Sequence, residues 1–439
     1  MNVTSEPSRP FRVHIPTELL SEIFLNCVDG AMDAANTIQI PLLVAQICTN
    51  WREAAIATPR LWSRLFLQLA PDNEAANAQS ELVDTWLERS SAAHLSIYVF
   101  WEDPPFLGSH PVLDSLVLHS KRWENMFFYM PFGAFKSLAR IRGRLDCLTE
   151  LSLGSGDDPS IPINGTLDMF EYAPRLKSLE CVNCSPFVFN FPWTQLKDVP
   201  VMAVSIEECL DILQRSSNLE QSGFIFLSGG ISGPTGSIQH SHLRNFTIMT
   251  PPWNERVDLA QLFPRITLPS LENLTICNLK SSFGPGFVPF LSRLECIQSL
   301  QLRKTSISDA DLVRGLVAIP SLKSLIVHCS ADSETITDYL LTALTWTCRS
   351  TDGYLIPSLV PNLTKLELQI DESIAESFIS MAQSRRTILG TEPDSPTIRL
   401  EHVKVRTAQE FEPTIVDQLD SLRLDGLSVD IEYIQSNGH

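Results

Sequence analysis

Cys181 and Cys184 stand at the spacing that can bring two thiolates onto one metal ion. Structural zinc wants four ligands, and no second pair at a similar spacing exists in the chain. Cys181 falls at an inward position of the repeat described below and Cys184 at its Asn/Cys position, so core packing accounts for both. His240 and His242 are the nearest pair among nine histidines and sit in a polar stretch before a strand. Asp157 and Asp158 belong to a turn beside Gly156 and Pro159. Glu207 and Glu208 fall in the first turn of a helix, where negative charge is favoured. The glycine-rich stretch 228–237 lacks the lysine of a phosphate loop and reads as a flexible or partner-contacting loop. GxSxG, HExxH and GxGxxG are absent. The expectation is a non-catalytic chain with no metal and no cofactor.

Charge narrows the partners. The 439 residues carry 33 Lys and Arg against 51 Asp and Glu, a net charge of -18. Phosphate backbones need clustered positive charge, and anionic bilayers do too, so neither nucleic acid nor a membrane is expected as a partner. No stretch approaches the ~20 apolar residues that cross a bilayer. The longest, Ile40 to Cys48, is interrupted by Pro41 and Gln46. The opening MNVTSEPSRP has no apolar run and no small-residue cleavage site, so a secretory signal is not expected. The expected location is cytoplasmic or nuclear, with the ten cysteines as reduced thiols and the Asn-x-Ser/Thr sequons as chance matches.

The elements that would position a site begin with a polar, disordered tail over residues 1–13. IPTELLSEIF (15–24) places Pro16 in the first turn of a helix. Leu19, Leu20, Ile23, Phe24 and Cys27 then follow at helical spacings. After a polar break from Asp29 to Gln39, the segment 41–55 predicts a second helix with Leu43, Ile47, Trp51 and Ala54 on one face. A third helical element is expected over 57–67, carrying Leu61, Trp62, Leu65 and Leu67. Three short helices cannot bury this much apolar surface among themselves. The surplus must meet the rest of the chain or a second polypeptide.

The order of residues in this region resembles the F-box-like module and is similar to F-box proteins of mushroom-forming fungi. The matching positions are Pro16, Glu18, Leu19, Leu20, Glu22, Ile23 and Phe24, then Pro41, Leu42, Leu43, Cys48, Trp51, Arg52 and Ala55, then Thr58, Pro59, Leu61 and Trp62. The resemblance implies docking on a Skp-type adaptor and, through it, a cullin-RING ubiquitin ligase. It implies that Pro16, Leu19, Leu20 and Ile23 face the adaptor, with Trp51 at the rim of the contact. Phe24, Cys48, Leu61 and Trp62 are expected to hold the helices together. The break from Asp29 to Gln39 makes a long first loop, as fungal members often have.

Beyond a linking helix at 79–90, a pattern L-x-x-L-x-L keeps returning. Clean copies start at Leu148, Leu176, Leu196, Leu243, Leu271, Ile297 and Leu322, most of them roughly 20–28 residues apart, a leucine-rich-repeat interval. Two more lie at 362–368 and 418–424, and poorer ones start at Leu95, Trp123 and Leu219. Between them, Ser205 with Glu208 forms a capping box, Ser308 opens a second helix, and 372–386 reads as a third. Strand side chains alternate, so the second and third leucines of each copy point inward. The residues beside them form the concave face of the solenoid, expected to take a target protein: Glu150, Ser152, Ser178, Glu180, Asn245, Thr247, Asn273, Thr275, Ser299, Gln301, Ser324, Ile326, Lys365 and Glu367.

The expected fold is α/β: a short three-helix module, then a curved leucine-rich-repeat-like solenoid with a parallel inner sheet and outer helices. Its expected parts are a tail over 1–13, an F-box-like domain over 14–70, a linker over 71–92 and the solenoid over 93–439. An adaptor-docking substrate receptor is the leading functional reading. A repeat-based scaffold, with the N-terminal helices as its cap, is the alternative.

Overall fold

The computed structural model describes residues 15–29, 34–70, 72–102, 110–156, 165–228, 236–253, 257–281, 283–329, 336–346, 350–351, 354–355, 359–386 and 399–434. The expected tail, Asp157–Asp158 and most of the glycine-rich stretch lie outside them. The chain divides into two compact units, Met1–Lys177 with Pro186–Pro192, and Ser178–Ser185 with Trp193–His439. The expected limits at 70 and 92 do not coincide with this division.

In the first unit, α1 (Thr17–Asp29) buries Leu20, Phe24 and Val28, a stripe at i, i+4 and i+8. The expected second helix is two: α2 (Ala34–Ile47) and α3 (Thr49–Ile56), parted at Cys48, whose backbone is extended. Because α2 starts at Ala34, much of the expected first loop is helical. The expected third helix is a single 3-10 turn (Pro59–Trp62) followed by strand β1 (Arg64–Gln68). Leu65 and Leu67 alternate with Arg64, Phe66 and Gln68, a period of two that suits a half-buried strand better than a helix. The linking helix α4 (Asn73–Arg89) starts earlier than expected, where the Asp72 carboxylate accepts from the Ala75 N–H at 2.8 Å.

Strands β2 (Leu95–Phe100), β3 (Trp123–Tyr129) and β4 (Glu150–Gly154) join β1 in parallel, in chain order. Register aligns Leu65, Ile97, Met126 and Leu151 in one buried row, and Leu67, Val99, Phe128 and Leu153 in the next. The poorer copies at Leu95 and Trp123 are therefore true strands.

The second unit holds ten more parallel strands, again in chain order. They are β5 (Ser178–Val182), β6 (Val201–Ser205), β7 (Gln221–Ser228), β8 (Asn245–Met249), β9 (Asn273–Cys277), β10 (Ser299–Thr305), β11 (Ser324–Cys329), β12 (Lys365–Gln369), β13 (His402–Thr407) and β14 (Ser428–Tyr433). A doubly wound sheet reverses its strand order partway; neither unit does. One buried row runs Phe246, Leu274, Leu300, Leu325, Leu366, Val403, Val429. Each such side chain contributes ~1.5–3 kcal/mol. Asn183, Asn278 and Lys304 take positive φ of 52°, 58° and 53°. Asn278 follows Cys277 as the chain leaves β9, whereas Lys304, after the paired Arg303, sits at a register break within β10, between Arg303 and Thr305.

The helices between strands follow the sequence grammar closely in three places. The one at Ile206–Arg215 opens on the expected capping box, with Ser205 Oγ accepting from the Glu208 N–H at 3.2 Å and Glu208 Oε2 from the Ser205 N–H at 3.0 Å. Asp309–Val317 is capped by Ser308, and Ala375–Ser384 follows a 3-10 turn at Glu372–Ile374. Two repeat copies are misplaced. The copy at Leu196 yields its strand only from Val201. The copy at 418–424 is the end of a helix, Pro413–Leu424, in which Ile415, Leu419 and Leu422 form a buried i, i+4, i+7 stripe and Leu424 is exposed. The strands flanking that helix, β13 and β14, were not expected.

Candidate interaction surfaces

The N-terminal helices divide the predicted adaptor residues into two groups. Leu19 is 55% exposed and Ile23 46%, and Pro16 also reaches solvent. Leu20 is 0% exposed, so it belongs to the packing of the module and not to its outer surface. Adjacent helix positions lie 100° apart, and the pattern Leu20/Phe24/Val28 against Leu19/Ile23 follows from that rotation. On α2, Leu42, Leu43 and Ile47 are exposed while Pro41 and Val44 are buried, so the face expected to join Leu43 and Ile47 to Trp51 and Ala54 is split between solvent and core. Single exposed apolar residues are ordinary, but five of large size on two short helices are not.

Inside the module, Phe24 meets half-buried Trp51 at 5.1 Å between ring centroids. Trp62 is fully buried, donates from Nε1 to the Ala55 carbonyl at 2.7 Å, and meets Trp86 edge-on at 4.8 Å. Leu61 is buried beside it. Thr58 Oγ1 donates to the Ala54 carbonyl and lies 2.7 Å from Ser21 Oγ, tying α1 to the 3-10 turn. Cys48, expected in this core, is exposed, because it occupies the break between α2 and α3.

On the second unit, the outer face of the sheet carries the predicted polar positions. Ser178, Glu180, Thr247, Asn273, Thr275, Ser299, Gln301 and Ser324 are half-buried, while Asn245 and Lys365 are exposed; on the first unit Glu150 is exposed and Ser152 half-buried. Asn273 Nδ2 donates to Asn245 Oδ1 at 2.7 Å across β8 and β9. Gln301 Oε1 accepts two bonds from Arg303, at 3.2 and 3.1 Å. Ile326 and Glu367 depart from expectation: both are buried and offer a target little surface.

Glu367 is engaged in a network the repeat pattern did not reveal. His328 Nε2 lies 2.8 Å from Glu367 Oε1, and Arg406 Nη1 lies 3.0 Å from His328 Nδ1. Arg406 Nη2 donates to Glu432 Oε1 at 3.0 Å, and Lys404 Nζ reaches Glu432 Oε2 at 2.6 Å. A guanidinium can only donate, so His328 Nδ1 accepts and Nε2 carries the proton given to Glu367. The histidine is therefore neutral. Burial, then the Arg406 charge, holds its pKa below the ordinary value against the opposing pull of Glu367. The alternation of His402, Lys404 and Arg406 with Val403 and Val405 was the available signal for this strand.

Two further histidines are taken up by backbone. His240 Nε2 lies 2.8 Å from the Ser216 carbonyl while its Nδ1 accepts from the Leu243 N–H at 3.1 Å; His110 is held similarly between the Ala70 carbonyl and the Val112 N–H. Burial lowers the pKa of both. A cavity of about 680 Å³ adjoins His240 and His242, lined also by Leu210, Leu213 and Gln214. With both His240 nitrogens occupied, that ring is a structural clamp and not a free base. Cys181 and Cys184 are buried, as expected of core residues. Among the described residues, no group of three or more His, Cys, Asp or Glu could hold a metal ion. None of the described helices is long and apolar enough to cross a membrane.

The outer face of β1–β3 is of a different kind. Phe66, Tyr98, Phe100, Phe127 and Tyr129 all project there, with Phe66–Phe100 and Phe100–Phe127 centroids each 4.9 Å apart. The leucine pattern drew attention away from these positions, although the alternation over 95–100 marks them. No family model matches the chain. No curated protein matches it either.

Proposed function

We propose that the chain is the substrate-receptor subunit of an SCF-type cullin-RING ubiquitin ligase, cytoplasmic or nuclear and not itself an enzyme. Its F-box-like helices dock a Skp-type adaptor, and its leucine-rich-repeat-like solenoid holds a target protein. The observation that carries this reading is the pairing of outward Leu19 and Ile23 with a fully packed Leu20, Phe24 and Trp62. A packed core beneath an uncovered apolar face is what a partner-docking module requires. Catalysis would then be by proximity, with the receptor raising the effective concentration of target lysines beside another subunit's charged ubiquitin.

Co-purification with a Skp-type adaptor tests the reading. The unmodified chain should retain the adaptor, and Leu19→Ser with Ile23→Ser should lose it while the melting temperature stays within a few degrees. Two anchors of ~1.5–3 kcal/mol each correspond to a loss of a hundredfold or more in affinity. No adaptor retained by the well-folded, unsubstituted chain would overturn it.

A second reading is favoured by one observation: α2 packs directly on β1, the first strand of its sheet. That is the position of a cap, as in a repeat scaffold with no ligase connection. Under that reading the same double substitution changes no adaptor binding, because there is none.

A further inference from the structure

We infer that the cavity beside His240 and His242 is a binding site for a neutral, polyhydroxylated ligand, a sugar ring or the end of a glycan. This inference needs no adaptor and stands apart from the ligase reading. The cavity measures about 680 Å³, within the ~300–1,000 Å³ range of small-molecule sites, and its lining belongs wholly to the second unit. One wall is the helix Ile206–Arg215, where Leu210, Asp211 and Gln214 share a face at i, i+1 and i+4. The other wall is the segment 236–242, whose Ile238 and Gln239 pair in parallel with Ile266 and Thr267. Two histidines fasten the walls together. His240 Nε2 lies 2.8 Å from the Ser216 carbonyl, and His242 Nδ1 lies 3.0 Å from that of Ser217. A space framed by such clamps needs little rearrangement to receive a ligand.

The lining selects the chemistry of that ligand. Asp211, Gln214, Ser237, Gln239 and Ser241 all border the cavity, and their side chains have no hydrogen-bond partner among the described residues. In its neutral form His242 keeps its proton on Nδ1, toward the Ser217 carbonyl, so Nε2 is an acceptor. The helix brings its last turn here through Leu213 and Gln214, and the negative end of its dipole favours donors. Hydroxyls and amides donate and accept, whereas the carboxylate and the imidazole Nε2 only accept. Acceptors are therefore in excess, which suits a ligand carrying several O–H donors. Among the described residues no Lys or Arg lines the cavity, so a phosphate or carboxylate would meet no countercharge. No Phe, Tyr or Trp lines it either, so a nucleobase would have no ring to stack on. Asp211 is its single acid, too little charge for a divalent cation. That one carboxylate makes an ammonium compound the rival ligand.

The test is a screen of the fluorescently labelled full chain on an array of neutral glycans, beside calorimetric titration with free hexoses and N-acetylhexosamines. Asp211→Asn and Gln214→Ala are the variants. Both side chains are exposed on the helix, and thermal melting checks that each protein is folded. The expected result is selective binding of a subset of saccharides. Asp211→Asn should weaken it about tenfold or more and Gln214→Ala about threefold or more, the losses of a charged and a neutral hydrogen bond. Binding of the free sugars identifies a small-molecule site, and binding of arrayed glycans alone identifies a glycan displayed on a partner; either supports the inference. Binding in neither format, affinities unchanged in both folded variants, or binding of spermidine without any neutral saccharide would overturn it.

Discussion

Replacing His328 with Gln isolates the proton that the β11–β13 network holds in place. The glutamine amide can still donate toward Glu367 and accept from Arg406, but it cannot titrate. In the folded chain His328 is neutral and its pKa is lowered, whereas unfolding returns it to about 6.5. The charged groups facing it are Glu367 from β12, Arg406 from β13 and Arg303 from β10, and the two cations oppose its protonation. A depressed folded pKa means the unfolded chain binds the proton first. The contribution to stability is therefore full above about pH 6.5 and declines as pH falls toward the folded value. In that window one site contributes a slope of about 1.4 kcal/mol per pH unit. His110, His119 and His240 are also lowered, with burial the largest cause in each, and supply a background slope common to both proteins. Denaturant titrations at pH 7.5, 6.5 and 5.5, followed by tryptophan fluorescence, should show the His328→Gln protein losing less stability on acidification. Equal acid slopes in the two proteins would refute the neutral relay.

Trp62→Ala should destabilise the first unit by about 3–5 kcal/mol, since it empties a fully buried site and strands the Ala55 carbonyl; thermal melting measures it. Alkylation mapped by mass spectrometry should label exposed Cys27, Cys48 and Cys296 well before Cys181 and Cys209. A hydrogen bond with Cys184 and then burial raise the Cys181 thiol, and burial alone raises Cys209. Early labelling of Cys181 would show that its packing is wrongly placed.

How far the sequence could be read depended on which periodicity each segment carried. Copies such as Leu271–Ile276 combine the leucine spacing with β-branched neighbours, and both signals point to a strand. The segment 418–424 satisfies the same leucine template, yet its Leu419 and Leu422 also continue a helical stripe from Ile415, and Pro413 suits a helix start. A template that tolerates any residue between leucines cannot separate these cases. In the N-terminal helices, spacing identified the apolar residues but not which of Leu19 and Leu20 turns inward. That choice is set by α3 and the 3-10 turn packing against α1, contacts between segments distant in sequence. Glu367 lies on the expected strand face but is buried, because its partner His328 is held in turn by Arg406, on a strand that the leucine pattern does not mark.

The most direct measurement is hydrogen–deuterium exchange and side-chain footprinting of the full chain, alone and mixed with a Skp-type adaptor. The account predicts new protection confined to residues 16–23 and 42–47, with Leu19 and Ile23 shielded and the buried row behind them unchanged. Identical footprints with and without saturating adaptor would contradict it.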